Sequence, residues 1–500
     1  MRHIIILFYA WLVELYRKPL MLSNSTVKLI YIPGINKIRA FSGKARAYSE
    51  FIKAKRRVPA YKEFLKTHHF SKPSFSGFVP NIHEIPDIDK ENYIKKFYIN
   101  ARCVGGEIPT ENVIIDESSG SSGTATNWAR GLKERKRNAK MIEFGMRTLL
   151  GKDPIFVINA FALGPWATGV NVTMSCVPFS KLKSLGPEKE KIENTLKQFG
   201  KDHRYVIMGY PPFLKSLVDN SEIDWKEFNI TFLFGGESMS EGMRDYLLEK
   251  GIKKAYSSLG ASDLELNMSA ENDFTISLRR LLRSNESLRS KILKHTGALP
   301  MIFQYNPTDF LFESSGTGEL IITIGRPDYI SPKIRYNIHD RGHTLTLNDL
   351  YSTLEELNIS LDELVKPQTD LPLLLHYGRA DMTVSFFGSN IGPTDIQEVI
   401  YSLPELSKVV NSYNLAVNED NEGNKKLVIS LEVQKGNSHQ QLNFNKIQND
   451  FFENLAKINQ DFREARKMLP DNNLTTICFE DFGSGSFKEN DIRIKAKYIN

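Results

Sequence analysis

The stretch Asp116-Glu-Ser-Ser-Gly-Ser-Ser-Gly-Thr-Ala-Thr126, directly after the apolar run Val113-Ile-Ile115, decides how this chain is read. Small residues let backbone amides approach an anion closely, and Ser118, Ser119, Ser121, Ser122 and Thr124 add hydroxyl donors around Gly120 and Gly123. A loop of this composition after a strand reads as a phosphate cradle. It lacks the closing Gly-Lys-Ser/Thr of a Walker A loop, and it is not the G-x-G-x-x-G of a dinucleotide fingerprint. Taken alone it reads equally well as a flexible Ser/Gly linker. What surrounds it decides between the two.

Outward from this loop, short apolar runs recur: Ile155-Phe-Val-Ile, Tyr205-Val-Ile-Met and Ile230-Thr-Phe-Leu-Phe, each followed by a Gly-containing turn. Helical patterns lie between them, at Glu188 to Phe199 and at Pro212 to Val218. Buried strands alternating with helices predict an α/β domain with a mixed, largely parallel sheet. The run Gly318-Glu-Leu-Ile-Ile-Thr-Ile, with neighbours near 300–312, predicts an antiparallel β region. The first hundred residues read mostly as helix. Towards the C-terminus, a helix from Thr394 (its capping residue) to Ser402, a strand Lys426 to Val433, a helix Phe444 to Met468 and a strand Thr475 to Phe479 predict a small α+β unit. The expected organisation is a helical extension over 1–46, a large domain over 47–378 and a mobile lid over 379–500.

The 500 residues are 41% hydrophobic and 25% charged, which excludes a disordered, collagen-like or disulfide-scaffold protein. A net charge of +6 is a weak bias over this length and gives no case for nucleic acid. Cys103, Cys176 and Cys478 are far apart and the ten histidines show no ligand pattern, so a reducing, cytoplasmic setting without zinc is expected. The apolar run Ile4 to Val13 follows Arg2-His3 and stops at Glu14, too short to span a bilayer. No small-x-small cleavage site follows it. Three readings of residues 1–20 stay open: a helix packed on the main domain, an uncleaved signal, or a membrane-surface contact using Trp11 and the basic residues behind it.

Further motifs follow in a fixed order: Gly235-Gly236-Glu237; Tyr256-Ser-Ser258-Leu259-Gly260-Ala-Ser262-Asp263; Arg335-Tyr-Asn-Ile-His-Asp340-Arg-Gly; Tyr377-Gly-Arg379-Ala-Asp381-Met; and Phe482-Gly-Ser-Gly-Ser-Phe-Lys488. Together with the Ser/Gly loop they resemble the adenylate-forming (AMP-binding) ligases, and within them the phenylacetate–CoA ligase-like branch that includes capsule-biosynthesis homologues. The resemblance runs from about residue 47 to the C-terminus. It implies that Ser118 to Thr126 holds the β- and γ-phosphates of ATP, and that Gly235, Gly236 and Glu237 lie against the adenine. It also implies that Ser258 to Gly260 lead into Ser262, which contacts the α-phosphate, and Asp263, which helps hold Mg²⁺. Asp340 would accept hydrogen bonds from the ribose hydroxyls. Arg379 and Asp381 would form a hinge, and Lys488 would be the mobile lysine of adenylation.

Two departures from the family pattern stand out. Thr124 replaces the lysine of the phosphate loop, which leaves Arg130 or Lys133 as nearby sources of compensating charge. Ile338-His339-Asp340 replaces Thr-Gly-Asp, putting an imidazole where the family has glycine. For the acid, Asn159-Ala-Phe161-Ala-Leu-Gly164-Pro-Trp166-Ala-Thr-Gly169 resembles the family's Gly-rich aromatic segment, making Phe161, Gly164 and Trp166 candidate pocket residues. Tyr210, in the turn Gly209-Tyr-Pro-Pro-Phe213, joins them. No Ser-His-Asp or Cys-His constellation is present. The implied activity is an acid–thiol ligase reaction in which a carboxylic acid and MgATP give an acyl-adenylate and pyrophosphate, followed by transfer to coenzyme A. Transfer to an amine, sugar or carrier protein, or nucleotide binding without catalysis, are the alternatives. A homodimer is compatible with either.

Overall fold

In the computed structural model the described residues are 1–117, 126–294, 299–379, 384–386, 389–419, 425–437, 443–459, 462–463, 466, 474–488 and 498–499. They form an α/β fold of two units: Met1–Gly186, Ser258–Leu278 and Ile302–His376 in one, and Pro187–Ser257, Arg279–Met301 and Tyr377–Asn500 in the other.

The first unit begins with helix α1, Arg2–Leu20, which packs on the helix Asn36–Arg57. Arg17 on α1 is buried and paired with Asp309 at 2.5 Å, while Arg46 reaches Glu14 at 3.1 Å and Asp309 at 3.5 Å. Burial alone would raise the pKa of Asp309, but Arg17, Arg46 and Arg137 hold it well below the usual carboxylate range. Strands Phe310–Ser314, Glu319–Ile324, Tyr336–Leu345, Leu373–Arg379, Met301–Tyr305 and Ser269–Ala270 are neighbours in that order. The ladders Phe310–Ser314 with Glu319–Ile324, and Glu319–Ile324 with Tyr336–Leu345, are antiparallel, as the Gly318 run predicts. Phe156–Asn159 and Lys181–Ser184 pair in parallel around the helix Ala167–Cys176.

The strand after which the Ser/Gly loop begins departs from the parallel expectation. Val113–Glu117 pairs antiparallel with Asn127–Gly131, from Val113 opposite Gly131 to Glu117 opposite Asn127. The connection between residues 117 and 127 is too short for the crossover that parallel strands require, so the chain doubles back instead.

In the second unit, Arg204–Gly209 and Asn229–Gly235 run parallel, with the helix Pro211–Asp219 between them in sequence. Strands Val410–Glu419, Lys425–Val433 and Thr475–Glu480 form a three-stranded sheet over helices Pro393–Ser402 and Phe444–Ile458. Ile396, Val399, Leu415, Leu427, Ile429, Phe451, Leu455 and Ile477 are its core. Two expectations are corrected here. The long helix ends at Ile458 rather than Met468, because the Asn459 side chain takes the backbone N–H of Phe462 at 2.8 Å and itself donates to Asp395 at 2.8 Å. The helix near 394 starts at Pro393 and is capped by Asp395, whose Oδ2 accepts from the N–H of Gly392 at 3.0 Å, not by Thr394.

Candidate functional site

Asp263 is where three segments of the first unit meet. It lies in the turn after strand Lys254–Leu259, closed by Ala261 N–H to Glu265 O at 3.0 Å and Leu264 N–H to Ala261 O at 3.0 Å. Gly260 cannot be larger: a Cβ there would sit 2.9 Å from Asn267 N and from Leu266 Cα. The Asp263 carboxylate accepts from Tyr336 Oη at 2.8 Å, and Lys90 Nζ lies 3.3 Å from the same oxygen, Oδ2. Oδ1 faces Ser262 Oγ at 3.5 Å. Tyr336 stands four residues before Asp340 on one strand, so Asp263 is linked through Tyr336 to the strand that carries Asp340.

The second arm comes from the strand leaving the Ser/Gly loop. Arg130 is buried, donates from Nη1 to Leu264 O at 2.7 Å and from Nη2 to Ser262 O, and pairs through Nε with Asp116 at 2.9 Å. Asp116 is fully buried on the strand entering the loop and also meets Arg135 Nη2 at 2.5 Å. Arg130 thus ties both stems of the loop to the Ser262–Leu264 turn. Committed in this way, Arg130 is engaged by Asp116 and two carbonyls rather than being a spare cation. Lys133 is exposed on the helix Leu132–Leu150. Ser118, Ser119, Gly120, Ser121, Ser122, Gly123 and Thr124 themselves lie outside the described residues, as does Asp381.

Two further lysines stand here that sequence reading did not single out. Lys90 is one. Lys333 is the other: it is 4% exposed, and its Nζ lies 4.1 Å over the Trp128 ring on the strand Asn127–Gly131. Burial, with Arg102 and Arg130 adding repulsion, pushes its pKa down to about 7 despite the attraction of Asp263. The unfolded chain therefore binds one more proton than the fold between about pH 7 and the ordinary lysine value of 10.5. Its contribution to stability is least favourable below pH 7 and improves as pH rises through that window. Glu134, raised to about 8 by burial, acts oppositely between its ordinary value of 4.5 and 8. Lys333→Met is expected to be more stable than wild type at pH 6.5 by a few kcal/mol, with the gap roughly halved by pH 9 and closing only above the ordinary lysine value of 10.5. Urea midpoints of both proteins at the two pH values test this, and an unchanged gap contradicts it.

Asp340 is held by His376, whose Nε2 lies 2.8 Å from Oδ2 across neighbouring strands. His339 adopts a φ of +59°, the left-handed region that glycine enters freely, which accounts for glycine in the family pattern at this place. Its imidazole points away from that pair: Nε2 is 3.5 Å from Asp89 and Nδ1 3.3 Å from Glu319, while Asn337 Oδ1 accepts its backbone N–H at 2.8 Å. These contacts offset the backbone strain and leave the orientation of Asp340 to His376. His376→Phe keeps a ring but loses the Nε2 partner of Asp340, and on the ATP-dependent reading proposed below it is expected to raise the KM for ATP about 5- to 30-fold with little change in kcat. His376→Gln should recover part of it. A kcat loss without a KM change would exclude this positioning role.

The remaining residues divide between the units. In the first, Phe161 is buried, Trp166 is half-buried at the start of the helix Ala167–Cys176, and Gly164 takes a φ of +85° in the loop between them. Asn159 Nδ2 fastens this loop to Gly169 O at 2.8 Å and Ser184 Oγ at 2.9 Å. Leu259 is buried and Ser258 half-buried on their strand. In the second, Gly235 ends its strand and Gly236 follows at a φ of +86°, where a Cβ would stand 2.3 Å from the Tyr210 ring. The C-terminal ends of two parallel strands therefore carry an aromatic ring laid on bare backbone, a place where α/β folds bind ligands. Tyr498 Oη donates to Glu237 at 3.0 Å. Arg379 is half-buried at the end of strand Leu373–Arg379, and Lys488 is exposed just past the short helix Gly485–Phe487.

No family model matches the chain, and no curated protein matches it in sequence. Solved structures do match. A 2-hydroxyisobutyryl-CoA ligase in the postadenylation state, in complex with R3-HIB-AMP, superposes with a TM-score of 0.66 at 13% identity, over 94% of this chain and 90% of that one. The same ligase with 2-HIB-AMP gives 0.65 at 14% identity, again over 94% and 90%. Its complex with 2-HIB-AMP and CoA in the thioesterification state gives 0.52 at 13% identity, over the same shares. The chain thus has the fold of the AMP-forming CoA ligases.

Proposed function

We propose that the protein is an ATP-dependent carboxylate ligase of the phenylacetate–CoA ligase-like kind, which forms an acyl-adenylate and passes the acyl group to coenzyme A. The observation that carries this reading is the junction at Asp263. There Arg130, from the stem of the Ser/Gly loop, and Tyr336, from the strand of Asp340, converge on one turn. The fold of 2-hydroxyisobutyryl-CoA ligase, crystallised with an acyl-adenylate and with CoA, supports it.

In this reading a carboxylate oxygen attacks the α-phosphorus of ATP, the bond to the β-phosphate oxygen breaks, and pyrophosphate leaves. Negative charge grows on the α-phosphate and the leaving group, so fixed donors and cations at those places lower the barrier. Ser262 donates to the α-phosphate, the loop 118–125 to the outer phosphates, Lys488 to the developing charge, and Asp340 fixes the ribose. Gly235, Gly236 and Glu237 receive the adenine. Asp263 is the one carboxylate at this turn assigned to Mg²⁺, which would be held there together with the ATP phosphates and would supply charge neutralisation; its Oδ2 already faces Tyr336 and Lys90, which leaves Oδ1 for the ion. Lys90 already offers that carboxylate a positive charge and is assigned here to stand in for the lysine replaced by Thr124. The thiol of CoA then attacks the acyl carbon, AMP leaves and a proton is released. Residues 379–500 act as the lid, turning at Arg379 and Asp381 so that Lys488 enters for the first step and withdraws for the second. Phe161, Gly164, Trp166 and Tyr210 are assigned to the acid pocket.

The test is acid-dependent exchange of labelled pyrophosphate into ATP across a panel of aromatic and aliphatic carboxylic acids. Exchange followed by thioester formation is the expected outcome. Exchange without thioester formation moves the acceptor to an amine, sugar or carrier. Tight ATP binding without exchange for any acid leaves a nucleotide-binding protein, a reading favoured by the Lys90–Asp263 pair occupying the metal-side carboxylate.

A further inference from the structure

We propose that the outer face of α1 seats the protein on an anionic lipid surface. The helix Arg2–Leu20 has two apolar stripes, not one. The inner stripe, Ile6, Ala10 and Leu20, is buried with Arg17. Tyr9 Oη meets Ser42 Oγ at 2.8 Å and His3 Nδ1 meets Tyr48 Oη at 2.7 Å, fixing which side faces the helix Asn36–Arg57. The outer stripe is Ile4, Phe8, Trp11, Leu12, Leu15 and Tyr16, spaced at three and four residues, and Phe8, Trp11 and Leu15 are 58%, 56% and 53% exposed. Phe8 and Trp11 stack on each other at 5.7 Å between ring centres. Leu22, directly after the helix, is 81% exposed. An exposed apolar patch of this extent marks a binding surface.

Charge decides what the surface fits. Residues 1–72 hold fifteen Lys and Arg against Glu14, Glu50 and Glu63, although the whole chain is only +6, so the remainder is net acidic. Arg2 and Lys18 are exposed on α1, and Lys28, Lys37 and Lys44 are exposed on the two segments, Lys28–Tyr31 and Asn36–Arg57, that pack against it. An amphipathic helix with aromatic residues on its apolar face and basic residues beside it lies in the interface of an anionic bilayer. Among the described residues no helix is long and apolar enough to cross a membrane, so the contact is with the surface. A second copy docked through the same face would bring two strongly basic patches together, since a two-fold contact pairs a surface with itself. The lipid surface has the complementary sign.

Removing residues 1–20 would strip Arg17 from buried Asp309, so the test uses surface substitutions in the full chain. Vesicles of phosphatidylcholine with about one third phosphatidylglycerol should bind the protein in flotation at least about tenfold more strongly than phosphatidylcholine alone, less so as salt rises. Binding should blue-shift tryptophan emission, because Trp11 is exposed whereas Trp128 and Trp225 are buried and Trp166 half-buried. The triple variant Phe8→Ser, Trp11→Ser, Leu15→Ser should lose flotation and the shift while keeping its thermal melt. Equal flotation of variant and wild type would overturn the proposal, as would no flotation on either vesicle. A lipid-free dimer in light scattering that the triple variant disperses, without vesicle binding, would assign the face to a second copy instead.

Discussion

Lys488→Ala is expected to lower acid-dependent pyrophosphate exchange by about 10²- to 10³-fold, while thioester formation from supplied acyl-adenylate continues near the wild-type rate. The magnitude is that of removing one fixed donor from a developing anion. The split between the two steps follows from the proposed withdrawal of the lid, and the local structure shows how the lysine is mounted. Phe487, its neighbour, is buried, and Gly485 takes a φ of +53° where a Cβ would stand 1.9 Å from Glu480 Oε2. Glu480 in turn accepts from Ser486 N–H at 2.8 Å and Ser486 Oγ at 3.0 Å. The backbone is thus clamped within its own unit and the lysine tip is left exposed. A lysine tip left exposed in this way is compatible with the role proposed for it, in the first step alone. Equal loss in both steps would remove Lys488 from the role, and loss of folding is excluded by an unchanged melt.

The order of motifs and the short apolar runs made the fold legible, because buried strands need continuous apolar residues and their ends need Gly-containing turns whatever the tertiary context. The glycines were legible for a local reason too: at Gly236 and Gly260 neighbouring atoms leave no room for a Cβ. Lys90, Tyr336 and His376 were not. Each acquires its place by meeting a carboxylate far away in sequence, Asp263 or Asp340, and a side chain's partner at that distance leaves no trace in local pattern. Lys333 was hidden differently. A lysine between Pro332 and Ile334 reads as a surface residue, and only its burial against Trp128 reveals otherwise. Asn459 and Asp395 misled the helix limits because their side chains compete with the backbone at positions where apolar periodicity alone gives no stop.

Asp116→Asn is expected to cost about 3–5 kcal/mol of stability, the cost of leaving buried charge without its partner. The carboxylate is fully buried and faces two guanidiniums, Arg130 at 2.9 Å and Arg135 at 2.5 Å, each nearly as buried. Burial pushes its pKa upward, and the two arginines pull it back. An amide keeps the shape but neutralises the only carboxylate that either arginine directly contacts among the described residues. Because the protein has two units, the loss is read from the urea transition that shifts rather than from a single global value. The same substitution carries a functional signature that plain destabilisation would not give at low temperature. Arg130 also holds the carbonyls of Ser262 and Leu264, so loosening it moves the Asp263 turn relative to both stems of the Ser/Gly loop. The KM for ATP should therefore rise about tenfold or more where the variant is still folded. A shifted urea transition with an unaltered KM would confine Asp116 to the core, and neither change would mean that the buried pair carries no weight.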